Sequence, residues 1–219
     1  GVWRIRVEAS PRGVGSTASV FREGLKYAWN AYSIRTLILI LAVVNLTASS
    51  YAVLLPVFAK DIFVGDARML GILWGAAGAG AFLGTVFLAT RKSLPGLVTA
   101  VVSGTAVSAV GLLVFSFSPY LPLSVFAMTL VGLGISIGNV ATNMLLQTLA
   151  PDHLRGRVVS FFSSTRFGFD AIGGLLAGLL AAQMGAQLAM LLEGVLLTVF
   201  VLWALRTHRQ LRDEVVRQV

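Results

Sequence analysis

Long stretches without a single charge constrain this chain more than any other feature. Residues 36–59 run for 24 positions without Asp, Glu, Lys or Arg, residues 69–90 for 22, and residues 171–192 for 22. Residues 93–151 run for 59, divided by the turn-like stretch Phe-Ser-Phe-Ser-Pro-Tyr-Leu-Pro at 115–122. A helix needs about 20 apolar residues to cross a hydrocarbon core of about 30 Å. Membrane-spanning β-strands are about 10 residues long and alternate in polarity, which these uniform runs do not. The chain is therefore expected to be an all-α integral membrane protein. Composition agrees: 57% of residues are apolar and 12% are charged, where an ordinary soluble domain carries about 25% charge. A mean hydropathy of +0.86 excludes intrinsic disorder. The net charge of +8 is not the footprint of a soluble nucleic-acid binder, which needs a charged surface around its basic groove.

The runs divide into six spans near 36–58, 69–90, 95–117, 122–149, 157–182 and 186–205, with breakers at Pro95-Gly96, Pro119, Pro122, Pro151 and Gly185. Residues 1–18 read as a linker and 206–219 as a basic tail. Residues 19–35 read as an amphipathic interfacial helix, in which Phe21, Leu25, Ala28, Trp29 and Tyr32 recur at helical spacing. Six spans put both ends on one side. Fourteen of the 17 cations fall on that side; Lys60 and Arg68 fall on the other, and Arg166 lies inside a span. The asymmetry makes both termini cytoplasmic, in a plasma membrane whose lipid the basic ends contact. The chain begins with Gly and reads as a piece of a longer protein.

The residues of catalysis are missing. There is no Cys, and the two His, His153 and His208, are far apart, so no metal site or cofactor is expected. No Gly-x-Ser-x-Gly elbow, His-Glu-x-x-His or phosphate-binding loop is present. An enzyme is not expected. Packing signals are plentiful: Gly71 and Gly75, Gly80 and Gly84, Gly134 and Gly138, and Gly174 and Gly178 each form a small-xxx-small ridge. The third span offers only small hydroxyls and is expected to face lipid.

Ionisable groups at membrane depth mark function. Arg166 and Asp170 lie four residues apart on the fifth span, and Glu193 lies on the sixth. By helical rise, Asp170 and Glu193 fall about 20 Å and about 18 Å from the cytoplasmic ends of their spans. They are candidates for one charge network that carries a proton; the alternative is a structural Arg166–Asp170 ion pair and a Glu193 held by a hydroxyl or a backbone group. Asn139, Asn143 and Gln147 form a polar stripe on the fourth span, while Asn45, Ser49 and Tyr51 lie on the first. Asn45, Asn139 and Arg166 share a depth of about 13–15 Å. Asn45, Ser49, Tyr51, Asn139, Asn143 and Arg166 are the candidate cavity residues; the alternative is hydrogen bonding that only joins helices. Pro56 is expected to kink the first span or hinge it.

Three stretches carry a family resemblance. They are Phe-Arg-Glu-Gly-Leu-Lys-Tyr at 21–27, the Gly/Ala-rich run from Gly71 to Gly84, and Ala-Pro-Asp-His-Leu-Arg-Gly-Arg-Val at 150–158 followed by Gly168 to Gly178. Over residues 20–205 the chain resembles the C-terminal six-helix half of a major facilitator superfamily transporter. The likeness is to the bacterial transmembrane secretion effector branch, which includes enterobactin-exporter-like proteins. The resemblance implies a half bundle whose partner is an N-terminal six-helix half of the same chain. It implies alternating access driven by an ion gradient, usually protons. It makes the first, second, fourth and fifth spans cavity-lining and the sixth peripheral, which weighs against Glu193. It also offers Asp152, Arg155 and Arg157 as a cytoplasmic gate, the alternative being charges that only set topology. The loop after the second span carries Arg91 and Lys92 without the acid usual in that family. The expected function is proton-coupled export of small amphiphilic molecules; the alternatives are a self-contained homodimeric channel or carrier and a membrane scaffold.

Overall fold

The computed structural model describes residues 29–48, 51–91, 93–152 and 154–217. The expected linker, residues 19–28 of the expected interfacial helix, and Ser49 lie outside the described residues. Among those described there are helices and no strands. Helix α1 is Tyr32–Thr47, and α2 is Tyr51–Val57. A π-helix, Phe58–Ile62, follows α2 directly. The longer helices are α3 (Ala67–Ala89), α4 (Leu94–Phe117), α5 (Leu121–Leu149), α6 (Arg155–Met184) and α7 (Ala186–Arg217). Taking Tyr32–Ile62 as one span, six helices are long and apolar enough to cross a membrane. Helix α7 continues through the residues expected to form a tail.

Local chemistry sets the joints. Pro56 has no N–H to donate, and two residues later the hydrogen-bond step lengthens: the N–H of Phe63 reaches the carbonyl of Phe58 at 3.0 Å. Asp66 starts α3 by accepting from the N–H groups of Arg68 and Met69 at 3.0 and 3.3 Å. Pro95 and Pro122 occupy the first turns of α4 and α5, where no N–H is needed. Gly185 turns α6 into α7 at φ +87°, a conformation side chains resist.

Packing rests on backbone contact. Gly132 of α5 sits against the backbone of Ala77 in α3, and Gly80 of α3 faces the carbonyl of Thr129. Gly134 meets Gly104 and Ser108 of α4, and Gly173 of α6 faces the carbonyl of Leu46 in α1. A Cβ at any of these positions would collide with the neighbouring helix. Gly71, Gly75 and Gly138 have open space beside them, so those parts of the expected ridges do not pack within this bundle.

The third span, expected to face lipid, packs closely within the bundle. Of its apolar window 61% is buried, against 33% for α3 and 11% for α6. Helix α4 lies between α5 and α7, its main packing partners. Its hydroxyls carry no demand for water, because Thr105 and Ser108 donate to the carbonyls of Val101 and Gly104 one turn back. Side chains of α3 and α6 such as Phe82, Leu83, Phe167 and Leu175 stand exposed.

Candidate functional site

A cavity of 480 Å³ opens between α2, α3, α5 and α6. Tyr51 and Trp74 form one wall, their ring centres 5.7 Å apart and tilted by 53°. Phe162 and Arg166, four residues apart on α6, approach from the other side, and Asn139, Asn143 and Met144 of α5 line it between them. Space exists because α3 presents Ala77, Gly78 and Ala81 to it, and Gly78 has nothing within 4 Å of where a Cβ would stand.

Asn45 stands behind this lining. Its Nδ2 donates to the Asn139 Oδ1 at 3.1 Å and to the Leu41 carbonyl at 2.7 Å, and the Asn139 Nδ2 donates to the Asn45 Oδ1 at 3.4 Å. Both residues are buried. The amide of Gln147 donates to the Oδ1 of Asn143. Tyr51, Asn139, Asn143 and Arg166 thus share one cavity, and Asn45 positions one of them.

The charges separate. The Arg166 guanidinium lies over the ring of Phe167 at 5.2 Å. Among the described residues it has no carboxylate within ion-pair distance, so Arg166 and Asp170 do not pair directly. One helix turn brings them to one face but does not fix the long arginine rotamer. Asp170 acts electrostatically on Tyr51 and has a further interaction. Glu193 is 5% exposed on the packed face of α7 and does not line the cavity. At the α5–α6 joint, Arg155 bonds the Asp152 carboxylate at 2.8 Å and its Nε donates to the Gln147 carbonyl at 3.0 Å. Arg157, one turn into α6, is half-buried.

The family described as transmembrane secretion effector matches residues 2–216. The chain belongs to that family, within the major facilitator superfamily. It is 37% identical over 163 residues to the multidrug efflux pump Tap of Mycobacterium tuberculosis, covering 71% of this chain and 37% of that protein. It is 31% identical over 163 residues to Tap of Mycolicibacterium fortuitum, covering 71% and 38%. It is 30% identical over 171 residues to the enterobactin exporter EntS of Salmonella choleraesuis, covering 74% and 41%. The chain spans about two fifths of the length of these relatives. It is a multi-pass membrane protein of an efflux and secretion transporter family.

Within this secretion-effector chain, sequence reasoning passed over Trp74, Ser136, Met144 and Phe162 as lining residues. One signal was available. Trp74, Ala77, Gly78 and Ala81 recur at helical spacing along one face of α3, and small residues beside an aromatic there make a wall as readily as a packing ridge.

Proposed function

We propose that this chain is the C-terminal half of a secondary transporter that exports small amphiphilic molecules by alternating access, coupled to protons. The observation that carries this reading is the cavity. It has the size of a drug-sized binding site, mostly apolar with a few convergent polar groups, and Tyr51, Asn139, Asn143 and Arg166 line it. In this reading the exposed faces of α3 and α6 serve the other six-helix half and the lipid. Asn45 supports the same cavity from the first span; Ser49 lies outside the described residues. Asp170, one turn beyond Arg166 on α6, and the buried Glu193 carry protons. Asp152, Arg155 and Arg157 close the cytoplasmic side against the other half. Both termini lie in the cytoplasm, from the cation asymmetry, and the membrane is the plasma membrane.

The test is dye accumulation in everted vesicles bearing the full-length protein, driven by an imposed pH gradient. Uptake that collapses with the gradient is expected in the wild type. Asp170→Asn is expected to lower gradient-driven uptake by about tenfold or more while dye exchange at equal pH persists. Glu193→Gln is expected to act in the same direction. Full gradient-driven uptake in both variants would remove the proton roles, and gradient-independent uptake would remove the coupling.

A further inference from the structure

We infer that the cavity takes an aromatic molecule bearing an acidic group, with the acid held by Arg166 and the ring by Tyr51, Trp74 and Phe162. This inference rests on the transport reading for its purpose but not for its geometry. Arg166 is the one charged side chain among the described lining residues. It sits on α6 eleven residues beyond Arg155, about 16 Å along the helix. A cation at such depth calls for an anion, and no described carboxylate lies within ion-pair distance. Asp170, one turn on, does not line the cavity.

Several of the other polar groups of the lining are already engaged. The Asn139 amide exchanges hydrogen bonds with Asn45, the Asn143 carbonyl oxygen accepts from Gln147, and the Ser136 hydroxyl bonds that of Thr85 at 3.0 Å. The guanidinium is left as the strongest open donor. Its planar fork fits a carboxylate or similar oxyanion with two parallel hydrogen bonds. Its contact with the Phe167 ring uses none of its N–H donors. The tilted Tyr51–Trp74 pair forms an angled slot that fits a flat ring face-on and edge-on together. Phe162 lies one turn before Arg166 on the same face of α6, so a ring in the slot and an acid at Arg166 belong to one compact molecule. A cationic amphiphile of the same shape meets the wrong sign.

A matched pair of probes tests this: radiolabelled 2-naphthoate and its neutral isostere 2-naphthamide, bound by equilibrium dialysis to the full-length protein in lipid nanodiscs. The wild type is expected to bind naphthoate about tenfold or more tightly over naphthamide. Arg166→Gln is expected to erase that preference while naphthamide binding stays, which also shows that the variant is folded. Arg166→Lys is expected to restore part of the preference, and Trp74→Ala to weaken both probes. Equal binding of the two probes by the wild type, or equal weakening of both by Arg166→Gln, overturns the assignment. The two readings fail separately. Arg166-dependent naphthoate binding without flux of any probe leaves the acid site standing and removes transport. Flux of a cationic dye that naphthoate neither slows nor accompanies leaves transport standing and removes the acid site.

Discussion

Asn45 and Asn139 each satisfy the other's amide across two helices, 94 residues apart in sequence. In a low-dielectric surround an amide stripped of its partner costs about 1–3 kcal/mol, whereas replacing both partners with apolar groups is close to neutral. Asn139→Leu alone is therefore expected to lower stability by about that amount, and Asn45→Leu with Asn139→Leu to recover much of it. Thermal unfolding of the full-length protein in detergent reads this, and additive losses would show that the amides act independently. The pairing was legible in outline, because rise arithmetic set both residues at one depth. The fate of Arg166 was not legible. Its four-residue spacing from Asp170 fixes a common face, but the side chain is long enough to turn away, and it lies over Phe167.

At the scale of the helices, α3 and α5 touch backbone to backbone at Gly132 and Gly80. Gly132→Val drives a branched side chain into the Ala77 carbonyl, which cannot yield as a flexible side chain can. The expected loss is about 3 kcal/mol or more, beyond ordinary overpacking, with the cavity distorted beside it because Ala77 and Gly132 both line it. Gly71→Val, facing open space within this bundle, is expected to leave the melting temperature of the protein within about 2 °C of wild type. A comparable loss in both variants would show that the contact in α5 is not special. The six-helix order was legible, since length and lack of charge define a membrane helix almost alone. The setting of α4 was not. Its hydroxyls bond within their own helix, so its polarity carries no information about which neighbours surround it. The Gly ridges were ambiguous for a related reason: a missing side chain makes either a contact or a void, and only the opposing helix decides which.

The whole molecule carries a sidedness that the positions of its cations express. No Cys is present in the chain, so each cysteine introduced into it is a unique chemical marker there. Val64, 87% exposed at the turn after the π-helix, and the exposed Ser93 before α4 lie at opposite ends of α3. Val64→Cys is expected to react with a membrane-impermeant maleimide added to intact cells, and Ser93→Cys only after the membrane is opened. Reaction of Ser93→Cys in intact cells would reverse the topology. The expected direction of crossing rests on a count of charges and not on packing.

The joint between α5 and α6 has a mechanical consequence. Arg155 ties the first turn of α6 both to Asp152 and to the last turn of α5 at Gln147. The two helices that carry Asn139 and Arg166 therefore share a hydrogen-bonded joint at one end. Arg166 lies about 16 Å from it, so a tilt of α6 by about 10° sweeps the guanidinium through about 3 Å. That travel equals the length of a hydrogen bond. In the acid-site reading, a small swing of α6 is therefore enough to carry the guanidinium from contact with a ligand to release.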